Sequence, residues 1–383
     1  MMILTNARLI FPDGIRDGLE VVVEGGKIAE IRERAPAREE DVVDLKGNYL
    51  APGFIDLHVH GALGRDTMEA SPEAFHAICD YHATGGTTSL LLTTATAPLN
   101  KLGEVLRAAR ACRSSTRTIA GVHLEGPFIS TANCGAQPVQ FIENPSRSTV
   151  GKLLEYADVI QRVTIAPEVP GALEAIESFY AHGINVSGGH SDAWDEDARA
   201  AFECGMRSVT HTFNCMSSSR RRGLYRVGGL LEFAMSEPQI SCELIADGHH
   251  VSPTLMKMLY HAKGSSGICL VTDATAGAGL SDGSRFSLFG NDCILENGVG
   301  LLANRSALAG SAMRMIDLVR TMVQKVDVPL HEAVVMATRN PARGIGLETK
   351  GRLAVGSDAD LVVFSRDLRV LRTFVGGEEI WSE

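Results

Sequence analysis

Histidines and carboxylates stand at the ends of five apolar, strand-like segments of this chain. These strand-end residues are His58, His60, Glu125, His190, His211 and Asp273. The carboxyl ends of parallel barrel strands meet at one mouth, so side chains placed there would gather in one site. Imidazole and carboxylate groups without a thiolate suit a zinc-type hydrolytic centre that keeps one position open for water.

His58 and His60 are two residues apart, and residues i and i+2 of a strand share one face. This pair alone is a weak signal, because two hydrogen-bonded or solvated histidines beside a glycine turn give the same pattern. Glu125, His190 and His211 occupy the corresponding ends of three later segments. Their presence favours metal ligation by both histidines.

Asp273 has no second candidate ligand beside it. A carboxylate next to an activated water is well placed as general base and then as general acid toward a leaving amine. The alternative is an Asp that caps the following turn or helix. Two further histidines, His249 and His250, end the seventh segment, and one of them could polarise a substrate carbonyl.

Composition restricts the partners and the compartment. The 383 residues carry a formal net charge of −10, which argues against broad nucleic-acid or membrane-surface binding. Eight cysteines occur without a C-x-x-C pair, as expected of reduced thiols. No window approaches the roughly 20 apolar residues that span a bilayer. We expect a cytoplasmic protein.

Between residues 51 and 346, strand-like runs alternate with helical patterns. The predicted strands are 53–59, 88–94, 118–124, 162–167, 184–188, 208–213, 241–246 and 268–273. A helix should begin after Ser71, which is suited to be its N-cap, with Pro72 in its first turn. Eight such units predict a (β/α)₈ TIM-like barrel.

Both ends of the chain are rich in short strand patterns separated by turn residues. Short strands are predicted near residues 7–11, 19–24, 27–31 and 41–45, and again beyond residue 361. We therefore expect a small β-sandwich built from residues 1–51 plus 347–383, with the catalytic barrel over 52–346. A stretch around residues 286–295 breaks the alternation and predicts a hairpin after the last barrel strand.

The motifs together resemble the N-acetylglucosamine-6-phosphate deacetylase family of the amidohydrolase superfamily. N-acetylgalactosamine-6-phosphate deacetylases fit about as well. The segments that carry the resemblance are 52–61, 64–68, 124–128, 189–191, 211–216, 245–251, 271–274, 308–311, 340–343 and 351–361. Leu-Glu-Gly-Pro followed by a distant Thr-Asp-Ala is the most specific of these features.

The resemblance implies a metal held by Glu125, His190 and His211, with a second position at His58 and His60. One or two divalent ions would bind, zinc first and ferrous iron as the alternative. It also implies Asp273 as catalytic acid/base and a homodimer whose partner helps to enclose the phosphate. The implied substrate-binding residues are Ala136, Gln137, Asn214, Cys215, Arg222, His250, Leu308, Ala309 and Gly310, with His250 also at the amide carbonyl.

Two departures from the family pattern bear on the substrate. Gln137 stands where the family usually has a histidine, and residues 219–223 read Ser-Arg-Arg-Arg-Gly in place of His-Arg-Glu-Pro-Gly. Arg222 or Arg221 could clamp a phosphate as a planar donor. The alternative for this arginine triplet is a solvated loop, and the substrate would then carry a different charge.

The resulting hypothesis is a metal-dependent hydrolase that converts N-acetylglucosamine 6-phosphate to glucosamine 6-phosphate and acetate in amino-sugar catabolism. The galacto epimer, or another N-acyl compound such as a cyclic amide or an N-acyl amino acid, is the alternative substrate. Because Glu125 stands where many relatives use a carboxylated lysine, the deacetylase is favoured. A barrel kept only as a scaffold would be expected to lose ligands, and none is lost here.

Overall fold

Residues 1–33 and 42–383 are described by the computed structural model, so Asp41, the first residue of one predicted strand, lies outside them. Eight parallel strands form one sheet in chain order. Barrel strands 1 to 8 are Phe54–Val59, Thr87–Thr93, Ile119–Glu125, Ile160–Ile165, Asn185–Gly188, Met206–Val209, Ser241–Leu244 and Ile268–Leu270. A bridge between Val59 and Ala274 brings the last strand back to the first. The predicted TIM-like barrel is confirmed.

Six of the eight strands agree with their predicted bounds to within two residues at either end. The sixth was expected over 208–213 and the eighth over 268–273, but they end at Val209 and Leu270. After both strands the backbone leaves the extended conformation early, because His211 has φ 31° and Asp273 has φ 48°. An apolar run does not reveal such a turn.

Helices follow most barrel strands and pack on the outside of the barrel. They are Pro72–Ala83, Leu99–Arg113, Arg147–Leu154, Ala172–Ala181, Asp195–Cys204, Leu230–Ser236, Pro253–Lys263, Met315–Lys325, Leu330–Ala337 and Arg339–Gly344. The first starts as predicted, since the Ser71 hydroxyl accepts a hydrogen bond from the Ala74 amide at 3.2 Å. In the two described ranges, no helix combines the length and the apolar character needed to cross a membrane.

Two further sheets are built from the strands at the ends of the chain. One has four strands in the order Lys27–Glu33, Leu19–Glu24, Met2–Thr5, Val42–Asp44. The other has six, in the order Glu378–Ser382, Val370–Val375, Leu361–Phe364, Tyr49–Pro52, Arg8–Phe11, Gly14–Arg16. Buried Leu4, Val21, Leu50, Leu361 and Phe374 belong to one shared core. This confirms a β-sandwich formed by both termini, whereas the domain boundaries given above remain a prediction.

A four-stranded antiparallel sheet follows barrel strand 8. Its strands are Arg285–Leu288, Asn291–Glu296, Val299–Leu302 and Leu308–Ser311. The predicted hairpin after the last barrel strand is therefore the first half of a larger insertion. A bridge between Ala274 and Ser311 holds the last of these strands beside Asp273, at the mouth of the barrel.

Asn340, in the helix Arg339–Gly344, links that helix to the start of the last barrel strand. Its buried amide donates to the carbonyl oxygens of Ser265 at 2.6 Å and Ile268 at 2.7 Å. Asn340→Ala leaves both carbonyls unpaired, so we expect a loss of about 1–3 kcal/mol in the free energy of unfolding. Thermal denaturation measures it. Asn100→Ala, at an exposed helix start, is the control and should change stability by less than about 0.5 kcal/mol. Equal melting temperatures for both variants would contradict the role of Asn340.

Candidate active site

Glu125, the last residue of barrel strand 3, is the centre of the candidate site. Its Oε1 atom lies 3.2 Å from His190 Nε2 and 3.1 Å from His211 Nε2, and these two nitrogens are 3.0 Å apart. Donor atoms arranged tetrahedrally about 2.0–2.1 Å from a zinc ion are roughly 3.3 Å from one another. The three side chains are therefore spaced to hold one divalent cation.

His58 and His60 form a second group on the same carboxylate. Their Nε2 atoms lie 3.2 Å apart. His58 Nε2 is 3.3 Å from Glu125 Oε1, and His60 Nε2 is 3.2 Å from Glu125 Oε2. Both groups fulfil the distance requirement for a metal site. Glu125 belongs to both, so it can bridge two ions.

Hydrogen bonds on the far side of each ring orient the four imidazoles. Each Nδ1 atom faces an oxygen: Asn133 O for His190 at 3.0 Å, Asn214 O for His211 at 3.1 Å, Thr93 O for His60 at 3.2 Å and Glu243 Oε2 for His58 at 3.3 Å. Carbonyl and carboxylate oxygens only accept, so in the neutral rings Nδ1 carries the hydrogen. Every Nε2 then directs a lone pair at the same small volume, which suits a cation.

The charges around this volume lead to the same conclusion. Burial alone would raise the pKa of Glu125, but His58 and His190 hold it well below its ordinary value. Burial alone would lower the pKa of His58, but the carboxylates of Glu125 and Asp273 raise it well above its ordinary value. The site therefore stabilises positive charge next to an ionised carboxylate.

Three of the strand-end residues have a left-handed backbone conformation. The φ angles are 47° at His190, 31° at His211 and 48° at Asp273. A non-glycine residue in this region costs on the order of 1–3 kcal/mol, and such residues concentrate at functional sites. The turns end their strands and direct these side chains into the mouth of the barrel.

Asp273 lies opposite Glu125, against the rings of the first strand. Its Oδ1 atom is 3.4 Å from the Nε2 atoms of both His58 and His60. Its backbone amide donates to the carbonyl of His58 at 3.0 Å. The side chain is partly open to the cavity, so it can reach both a water and a substrate there.

His250 is held at the cavity wall by Asp247. Its Nδ1 atom lies 2.7 Å from Asp247 Oδ2, while Asp247 Oδ1 accepts from the amides of His249 and His250 at 2.8 and 2.9 Å. Burial tends to lower the pKa of His250, but Asp247 and then Asp273 raise it above its ordinary value. In its protonated form, His250 presents its Nε2–H to the cavity.

A buried ion pair lies beneath the histidines and was missed from the sequence. Arg162 Nη2 is 2.9 Å from Glu243 Oε1, and both side chains are almost fully buried. Burial would raise the pKa of Glu243, but Arg162 and His58 lower it. Both strands also hold other polar residues, Gln161 and Thr164 beside Arg162 and Ser241 beside Glu243, so no spacing pattern distinguished this pair from strand-edge charges.

The cavity above these groups measures about 240 Å³, slightly below the roughly 300–1,000 Å³ of pockets for drug-sized ligands. Among the predicted substrate-binding residues, those that line it are Ala136, Gln137, Asn214, Cys215, His250, Leu308 and Gly310. Gln137 lines the cavity, but its side-chain amide is engaged with the metal-binding group: its Nε2 donates to Glu125 Oε2 at 2.6 Å and its Oε1 accepts from the Thr96 amide at 2.8 Å.

Two predicted substrate-binding residues are not brought to the cavity wall. Arg222 makes a bidentate ion pair with Glu196 at 2.6 and 2.7 Å and stacks over Trp194. Ala309 is fully buried, and its carbonyl accepts from the Thr275 hydroxyl at 3.1 Å. Lining residues missed from the sequence are Gly135, Thr275, Leu288, Phe289 and Ala307. Most come from the inserted sheet, whose position over the barrel was not predictable from its strand pattern.

A family model described as "Amidohydrolase family" matches residues 49–380. The chain belongs to the amidohydrolase family. This amidohydrolase is 35% identical over 384 residues to the N-acetylglucosamine-6-phosphate deacetylase of Lysinibacillus sphaericus, covering 98% of the chain and 97% of that relative. It is 32% identical over 381 residues to the N-acetylgalactosamine-6-phosphate deacetylase of Escherichia coli O157:H7, covering 98% of each.

The fold of this amidohydrolase also matches a solved deacetylase structure. The N-acetyl-D-glucosamine-6-phosphate deacetylase mutant of Mycobacterium smegmatis, solved in complex with N-acetyl-D-glucosamine-6-phosphate, superposes with a TM-score of 0.92 at 31% identity. The match covers 100% of this chain and 99% of that one. The resemblance stated from the sequence motifs is confirmed.

Glu125→Gln tests the shared carboxylate. Because Glu125 belongs to both metal-binding groups, we expect the variant to retain no more than about a tenth of the wild-type metal content. Elemental analysis after zinc loading and dialysis measures this. Glu168→Gln is the matched control, since Glu168 is another largely buried carboxylate, bonded to Ser191 and Asp192. Unchanged metal content in Glu125→Gln would contradict the assignment.

Proposed function

We propose that this chain is a metal-dependent deacetylase that hydrolyses N-acetylglucosamine 6-phosphate to glucosamine 6-phosphate and acetate. The observation that carries the proposal is the convergence of four imidazole Nε2 atoms and Asp273 on one buried carboxylate, at the floor of a small cavity. The full-length relatives named above act on 6-phosphorylated N-acetylhexosamines. A cytoplasmic location and a homodimer remain predictions.

The residues proposed to hold the cofactor are His58, His60, Glu125, His190 and His211. Nitrogen and carboxylate donors in this number suit zinc, with ferrous iron as the alternative, and the two groups allow one or two ions. A divalent ion there supplies Lewis acidity, which polarises an amide carbonyl and lowers the pKa of water.

Asp273 is proposed to move the proton. Its carboxylate accepts a proton from the water as the new C–O bond forms at the acetamide carbon. It then gives that proton to the amide nitrogen as the C–N bond breaks, so acetate and the free amine leave. The carboxylate is therefore regenerated in each turnover.

His250 is proposed to stabilise the negative charge that develops on the carbonyl oxygen. Asp247 fixes its ring from behind, so the Nε2–H of the protonated ring is directed into the cavity before the substrate binds. A donor preorganised in this way lowers the barrier without reorganisation during the reaction. Asn214 and the backbone near Gly310 line the cavity and are proposed to contact the sugar.

An unphosphorylated N-acetyl amino sugar is the second candidate substrate. Within the described parts of the chain, the residues that line the cavity include neither Lys nor Arg. Arg220 and Arg222 stack on Trp194 and pair with Asp192 and Glu196. A phosphate bound in this cavity would therefore need a cation from the metal centre, from His250 or from a second chain.

Acetate release from four substrates decides among these candidates. N-acetylglucosamine and N-acetylgalactosamine are assayed with and without the 6-phosphate. The proposal expects the highest kcat/KM for N-acetylglucosamine 6-phosphate. A preference for the unphosphorylated sugar supports the second candidate, a preference for the galacto epimer supports the other deacetylase, and no release from any of the four contradicts the proposed function.

Asp273→Asn should abolish proton transfer while the metal stays bound. We expect kcat to fall by about 10²–10⁴-fold, with metal content unchanged. Asp292→Asn, on the exposed inserted sheet, is the control and should keep full activity. Full turnover by Asp273→Asn would remove this residue from the mechanism.

The pH dependence tests His250. Its pKa is raised by Asp247, and we propose that the protonated ring is the active form, so activity should fall as the pH rises through that pKa. Asp247→Asn removes the cause of the increase, so the alkaline limb of the kcat profile should move to lower pH. Asp282→Asn is the exposed control. A limb that stays in place or moves upward would contradict this role.

A further inference from the structure

One of the four converging imidazoles is held differently from the other three. The rings whose Nδ1 atoms face backbone carbonyls are those of His60, His190 and His211. The Nδ1 atom of His58 instead faces a side chain, the carboxylate of Glu243, at 3.3 Å. A backbone carbonyl is supplied by the fold whatever the side chain, whereas the acceptor of His58 depends on the identity of residue 243.

Glu243 is fixed from three directions in the barrel interior. Its Oε1 atom lies 2.9 Å from Arg162 Nη2. Its Oε2 atom accepts from the His211 amide at 3.1 Å as well as facing His58. The glutamate side chain is only 1% exposed, so solvent cannot replace any of these partners.

Arg162 is itself held in place by neutral partners. Its Nη1 atom donates to Asn185 Oδ1 at 3.0 Å and its Nη2 atom to Ser187 Oγ at 2.7 Å. These contacts fix the guanidinium beside Glu243 and leave its charge to be balanced by that carboxylate. An ionised carboxylate only accepts hydrogen bonds, so it requires the hydrogen of His58 to be on Nδ1.

We propose that Glu243, held by Arg162, is a positioning residue that fixes the ring and tautomer of His58 and thereby completes a second cation position with His60 and Glu125. This inference rests on the metal dependence in the proposed function, and not on the identity of the acetylated substrate. The position formed by Glu125, His190 and His211 keeps its own carbonyl acceptors. Loss of Glu243 should therefore weaken one position selectively.

Glu243→Gln is the main test. Glutamine keeps one oxygen that can accept from the His211 amide. It removes the negative charge, however, and places a side-chain N–H among groups that are themselves donors, namely Arg162 and His58. Glu20→Gln is the matched control, because Glu20 is a buried carboxylate that pairs with Arg32 at 2.7 Å in a terminal sheet. Zinc equivalents per chain and the dissociation constant of each ion are measured by elemental analysis and by competition with a chromophoric chelator.

The wild type and Glu20→Gln should each bind two ions. In Glu243→Gln the affinity for one ion should fall by about 10–100-fold, while the other stays unchanged. The double variant with His58→Gln should lose no more affinity than His58→Gln alone, because both changes act through one ring. Wild-type affinities for both ions in Glu243→Gln, equal loss of both ions, or a wild type that binds only one ion would each overturn the proposal.

Two measurements keep the proposal testable if the glutamine variant does not fold. Glu243→Asp keeps the charge but shortens its reach to His58 and to the His211 amide, and the larger loss of affinity is expected at the position of His58 and His60. In the zinc-loaded wild type, proton–nitrogen spectra should show a solvent-protected hydrogen on His58 Nδ1, and its absence would overturn the proposal. None of these assays uses substrate, so failure to release acetate would contradict the proposed function and leave this inference standing.

Discussion

Repulsion among lone pairs is the constraint on which the site depends. Fixed oxygen acceptors behind the imidazoles place the hydrogens on Nδ1, so unprotonated Nε2 atoms face each other and Glu125 at 3.0–3.3 Å. Buried groups in this arrangement are stable only when a cation or a proton lies among them. The same requirement explains why the pKa values of Glu125 and His58 move in opposite directions.

The barrel provides this arrangement by bringing distant parts of the chain to one mouth. The ligands come from barrel strands 1 and 3 and from the turns after strands 5 and 6, and the catalytic candidates follow strands 7 and 8. Tight turns with positive φ at His190, His211 and Asp273 direct the side chains inward. Beneath them the interior holds the Arg162–Glu243 ion pair in place of an aliphatic layer. A buried ion pair carries a desolvation cost that aliphatic side chains would not, so this layer fixes the site at some cost in stability.

The histidines and carboxylates at the strand ends were predictable from the sequence, because the pattern that marks them is local. A histidine or carboxylate after an apolar run can be read from a few neighbouring residues, and the alternation of strands with helices gave the barrel. Glu243 and Arg162 could not be found in this way, since their pairing crosses the barrel. The sequence left Arg222 open between a phosphate clamp and a solvated loop, because its pairing with Glu196 and Trp194 is a tertiary contact. For Gln137, the sequence identified the position but not its hydrogen bond to Glu125.

Anomalous X-ray diffraction from zinc-loaded crystals tests the central claim most directly. Data collected on both sides of the zinc absorption edge locate the ion without reference to activity. The account predicts a peak about 2.0–2.2 Å from Glu125 and from the Nε2 atoms of His190 and His211. Loaded crystals with no peak there, or with these imidazoles turned so that Nδ1 faces the carboxylate, would contradict it.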